Sequence, residues 1–125
     1  MDDRKVMTFL ERMDISLYNY QFEKMKGAAL EEPLAKRFIV HVTRALLYLT
    51  QLKSPTGRPT PVCHRDIKTE NILIELNTKT AKLSNFVFGA VVNVKVENGK
   101  EIFEQTNDFV GSPKYVIGAS VMRHD

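Results

Sequence analysis

The spacing of apolar positions changes several times along this chain, and each change marks an element. KVMTFL (Lys5–Leu10) alternates loosely and predicts a short strand ending in the polar stretch Glu11–Ser16. In SLYNYQFEKMK, Leu17, Tyr20 and Met25 fall near helical spacing, with Ser16 placed as N-cap and Gly27 as stop. The strongest periodicity runs from about Pro33 to Leu52, where Phe38, Val42, Ala45, Leu46 and Leu49 form one apolar stripe of a long helix. Pro33 suits a first helical turn, and Glu31 and Glu32 suit the positive end of the helix dipole.

KSPTGRPTP (Lys53–Pro61) holds three of the five prolines and cannot be helix interior or central strand, so it reads as an exposed loop. NILIEL (Asn71–Leu76) and TAKLSNF (Thr80–Phe86) are two β-type runs joined by Asn77–Lys79, a hairpin pattern. VVNVKVENGKEIF (Val91–Phe103) predicts a second hairpin turning at Asn98-Gly99. The tail from Glu104 to Asp125 reads as irregular. Helices followed by closely spaced strands point to an α+β fold, because the strands are too few to alternate with crossover helices.

Composition narrows the class. At 125 residues, with 43% hydrophobic and 26% charged, the chain suits one modest globular domain. The net charge of +3 comes from basic residues scattered among acids, which argues against a nucleic-acid partner. No window is apolar enough to span a membrane, and MDDRKVMTF is not a signal peptide. Cys63 is the sole cysteine, so no internal disulfide forms; a reducing, cytoplasmic setting and a buried, inert thiol are expected. The oligomeric state is left open.

The chemistry concentrates in His64-Arg65-Asp66-Ile67-Lys68-Thr69-Glu70-Asn71, which matches H-R-D-L-x-x-x-N with Ile67 for leucine. A carboxylate to accept a hydroxyl proton, a cation to neutralise a moving phosphoryl group and an amide oxygen to ligate a metal are what phosphoryl transfer needs at this spacing. With the β-run that follows and the strand ending at Asn85-Phe86, the chain resembles the eukaryotic serine/threonine protein kinases. DIKTENILIELN (Asp66–Asn77) and KLSNFVFGA (Lys82–Ala90) are similar to the PIM-like branch of the calmodulin-dependent-kinase-like group. FLERM (Phe9–Met13) is similar to the hinge of that branch, and GSPKYVIGA (Gly111–Ala119) to the end of its activation segment.

The resemblance implies a partial kinase fold over residues 1–125, mainly the upper part of the helical large lobe with a pair of short hairpins. Its regions would be a hinge at 5–16, a long helix at 33–52, a catalytic loop at 62–71 and an activation segment at 85–119. It implies ATP and Mg²⁺ as cofactors and a protein substrate as partner. Asp66 would be the catalytic base and Lys68 the phosphate-facing cation. Asn71 and Asn85 would be the metal positions, and Glu11, Met13 and Leu73 would face the adenine. His64 and Phe86 would join a stacked apolar spine, and Arg65 would pair with a phosphorylated loop residue, Thr106 being the nearest.

Three departures count against catalysis. Asp-Phe-Gly reads Asn85-Phe86-Val87, exchanging a carboxylate for an amide and a glycine for a β-branched residue that resists positive φ. Ala-Pro-Glu reads Ile117-Gly118-Ala119, and the six glycines form no G-x-G-x-x-G loop. The small-lobe lysine and its glutamate partner would lie upstream of Met1. The expectation is a truncated, inactive kinase-like chain with apolar helix faces exposed, or a pseudokinase acting as a protein-binding module.

Overall fold

The computed structural model describes residues 5–104 and 110–112. Thr106 and Ile117-Gly118-Ala119, with most of the tail expected to be irregular, lie outside the described residues. The elements run β1 (Ile15–Ser16), α1 (Leu17–Asn19), a π-turn (Tyr20–Lys24), α2 (Glu32–Thr50), β2 (Val62–Cys63) and a 3₁₀ turn (Thr69–Asn71). After these come β3 (Ile72–Glu75), β4 (Thr80–Leu83), β5 (Ala90–Val91), β6 (Val94–Glu97) and β7 (Lys100–Phe103). This is a mixed α+β arrangement of one long helix and small antiparallel sheets.

The core lies between α2 and the sheet of order β1-β3-β4. Strand alternation along β3 turns Ile72 and fully buried Ile74 toward α2, leaving Leu73 on the other face. Phe38 from α2 meets the edge of Tyr20 with ring centroids 6.5 Å apart, and Leu17 and Ala81 complete the buried cluster. Each such large side chain stabilises the fold by about 1.5–3 kcal/mol. β3 and β4 pair in the register Ile72↔Leu83 to Glu75↔Thr80.

Ser16 caps as its position foretells, its Oγ accepting the Asn19 N–H at 3.1 Å. The helix it opens is short, however. A π-turn follows, with the Met25 N–H reaching back to the Tyr20 carbonyl, and Gly27 at φ +79° ends it. The second hairpin turns at Asn98 and Gly99, φ +53° and +74°, as a tight two-residue loop requires.

Two expectations are corrected. Lys5–Leu10 forms no strand: among the described residues no strand lies beside it, and Val6, Met7, Phe9 and Leu10 are 78–91% exposed. The chain joins the sheet only at Ile15, after the Asp14 N–H bonds the Ile74 carbonyl at 3.2 Å. Cys63 is exposed rather than buried, because the two-residue β2, paired with β5, turns Val62, not Cys63, inward. That β2–β5 pair is too short to leave a periodic signal in the sequence.

Candidate active site

The segment His64–Asn71 leaves β2 and ends in the 3₁₀ turn that starts β3. Its backbone is held by its own side chains. The Asp66 N–H donates to His64 Nδ1 at 3.1 Å, which leaves Nε2 carrying the proton donated to the Ser84 carbonyl at 2.7 Å. The buried imidazole thus ties the loop to the end of β4, and its ring meets Phe86 edge-on at 4.8 Å. Arg65 takes a positive φ of 69°, and its Nε donates to the Phe88 carbonyl. Asn71 sends its carbonyl to the N–H (2.8 Å) and hydroxyl (3.1 Å) of Ser84.

Asp66 is buried, and its carboxylate is fully engaged. Oδ1 accepts the Ser112 N–H at 3.1 Å and the Ser112 hydroxyl at 2.8 Å; Oδ2 accepts the Asn71 amide at 3.1 Å and lies 3.8 Å from Lys68 Nζ. Burial pushes this carboxyl up, but the Ser112 hydroxyl, the Asn71 amide, the Lys68 charge and the Ser112 N–H together outweigh it and hold it below its ordinary value. It is therefore ionised at neutral pH. Lys68 donates to Ser112 Oγ at 2.6 Å and lies 3.9 Å from Glu70.

The structure brings Asp66, Lys68, Asn71 and Asn85 into one cluster, since Asn85 Nδ2 donates to Asn71 Oδ1 at 3.2 Å. Ser112, from 46 residues further along, is the member that sequence reasoning missed. No local spacing in the sequence signals its partner, which lies 46 residues away. Glu11, Met13 and Leu73 lie outside that hydrogen-bonded cluster. Leu73 is half-buried on the sheet face away from α2 and pairs in register with Lys82, whose Nζ grips both oxygens of Glu11 at 2.7 Å. Met13 is half-buried in the segment between Glu11 and β1.

The family model for the protein kinase domain matches residues 1–121. The chain belongs to the protein kinase domain family. Over 81 residues, 64% of its length, it is also 38% identical to a probable receptor-like protein kinase of Arabidopsis thaliana, and that match covers 11% of the relative.

Protein kinases as a family use ATP with Mg²⁺, so the fit of this cleft to a metal can be tested on its donors. Asn71 spends both amide hydrogens' direction on Asp66, at the carbonyl (2.8 Å) and at Oδ2, which leaves Oδ1 aimed at Asn85. Asn85 answers with a donor, and its own Oδ1 accepts the Val87 N–H at 3.4 Å. A hard cation needs several oxygens converging on it. Here two amides satisfy each other, and no group of three or more His, Cys, Asp or Glu suited to a metal exists among the described residues. The residues present do not fit Mg²⁺. The positive φ of the turn falls on Asn85 (+60°), a residue type that tolerates it, so Val87 is spared the strain expected of it.

Proposed function

We propose that the chain is a serine/threonine-type kinase domain that holds an acceptor hydroxyl between Asp66 and Lys68, transfers little phosphate of its own and acts chiefly as a protein-binding module. The observation that carries this reading is Ser112. Its hydroxyl donates to Asp66 Oδ1 and accepts from Lys68 Nζ, while its backbone N–H reaches the same carboxylate. An acceptor hydroxyl needs these two contacts: a carboxylate for its proton and a cation for the charge on the phosphoryl group. A serine spans them with its backbone hydrogen-bonded to the carboxylate; a tyrosine would hold its backbone a full ring away. This supports aliphatic hydroxyls over phenols.

The weak-transfer part of the reading rests on the mutually satisfied Asn71–Asn85 amides. ATP, if it enters, would place its adenine against Leu73 and the segment holding Glu11 and Met13. The PIM-like branch rests on sequence resemblance alone, in the segments around Asp66 and Asn85, at Phe9–Met13 and at Gly111–Ala119, and a cytoplasmic location on the single cysteine.

A peptide array with Ser, Thr, Tyr or Ala at one central position, probed with the purified chain in the presence of ATP, tests this. Ser and Thr peptides should retain more chain than Ala or Tyr peptides. Asp66→Asn should cut that preference about tenfold, the worth of one charged hydrogen bond. Incorporated phosphate should stay near background. Equal retention on Ser and Ala peptides, or phosphate transferred to tyrosine, would defeat the reading.

A further inference from the structure

Asn71 and Asn85 do more than fail to hold a cation. Asn71 is locked by its two bonds to Asp66, and Asn85 is locked by the Val87 N–H, so the 3.2 Å contact between them has a fixed direction from Nδ2 of Asn85 to Oδ1 of Asn71. The turn that follows is also pinned without charge: Phe86 lies against His64, and the Gly89 N–H closes on the Phe86 carbonyl at 2.9 Å. A Cβ on Gly89 would meet that carbonyl at 3.0 Å, so the turn is already tight.

We propose that the Asn71–Asn85 pair is a cation-independent clasp, fixing the turn after β4 to the end of the catalytic loop, and that the Nδ2 of Asn85 faces the one oxygen of Asn71 that a divalent metal would need. Suppose that nitrogen became an oxygen, as in Asn85→Asp. Two oxygens would then face each other near the present 3.2 Å. An Mg²⁺ or Mn²⁺ octahedron with bonds of about 2.0–2.2 Å has oxygen–oxygen edges of about 2.8–3.1 Å. The separation that makes a hydrogen bond between amides therefore makes a cation edge between oxygens. With no cation bound, the same two acceptors repel. The wild-type turn stands without metal; the aspartate variant would depend on it.

The inference rests on reading this cleft as a kinase site. Its test uses MnCl₂ alone, without nucleotide or peptide, so failure of the hydroxyl-site reading on the peptide array leaves it standing. Bound Mn²⁺ is followed by electron paramagnetic resonance and the melting temperature by circular dichroism. The wild-type chain should show no saturable binding up to about 1 mM and no shift in melting temperature. Asn85→Asp should melt lower in chelator, recover with Mn²⁺, and bind it at least about tenfold more tightly, as linkage requires. If Asn85→Asp does not fold, Asn85→Gly keeps the positive φ but removes the donor, and should melt lower with and without Mn²⁺ alike. Saturable Mn²⁺ binding by the wild type that Asn85→Gly abolishes would overturn the proposal. So would a folded Asn85→Asp that ignores the metal.

Discussion

Asp66 draws distant parts of the chain together: a hydroxyl and a backbone N–H from Ser112, an amide from Asn71 and the charge of Lys68 meet on one buried carboxylate. Because its folded-state pKa is depressed, it contributes stability above its unfolded value of about 4, and that contribution is lost as pH falls through the folded value. Acid titration of the melting temperature should therefore show wild type losing stability below about pH 4 while Asp66→Asn stays flatter. At neutral pH the variant should be less stable by about 1–3 kcal/mol, since Lys68 and Ser112 lose a charged acceptor. Parallel acid limbs for the two proteins would show that the carboxylate is not the group holding this cluster together. Most of the cluster was legible because it is local: His64, Asp66, Lys68 and Asn71 fall within eight consecutive residues, where spacing alone constrains geometry. Ser112 was not, because a lone loop hydroxyl carries no period and its partner is far away in the chain.

At the element scale, α2 and β4 are joined by one polar contact as well as by packing. β4 is the edge of its sheet, and the outward N–H of Ala81 is accepted by His41 Nδ1 at 3.0 Å. A helix side chain thus satisfies an edge that would otherwise invite pairing. Burial lowers the pKa of His41, and the charges of Arg37 and Arg44 on the same helix lower it further. The neutral ring is the form that can accept here, so its contribution is complete above the ordinary value of about 6.5 and lost as pH falls through the folded value. His41→Ala should cost about 1–3 kcal/mol at pH 7.5 by orphaning the Ala81 N–H. The gap between wild type and variant should narrow on acidification; a gap constant from pH 7.5 to the acid limb would exclude His41 as the acceptor. The helix itself was plain from its apolar stripe, whose Phe38 and Leu49 are the buried members. The role of His41 was not plain: a histidine beside that stripe looks the same in sequence whether it meets water or a strand edge.

Across the whole molecule, the apolar surface that stays in water is as telling as the core. Phe38 and Val42 turn one arc of α2 to the sheet and Leu49 is buried further along the helix, while Ile39, Leu47 and Tyr48 are 55–65% exposed. The segment from Val6 to Leu10 adds a second such surface. The exposed helix face was expected from the resemblance to part of a kinase domain, not from the apolar stripe itself. Lys5–Leu10 was misread, because alternation describes a strand only where a neighbouring strand supplies hydrogen bonds. Monomeric proteins rarely leave contiguous apolar patches of more than a few hundred Å² in water. The chain should therefore self-associate as its concentration rises to about 100 μM, where burial of such patches offsets lost translational freedom. Replacing Ile39 and Leu47 together by lysine should reduce the apparent mass by light scattering while changing stability by no more than about 0.5 kcal/mol per site, as expected of surface positions. A large loss of stability would mean that these side chains belong to the core, and unchanged association would shift the sticky surface to Val6–Leu10, where Phe9→Ser should then dissolve it.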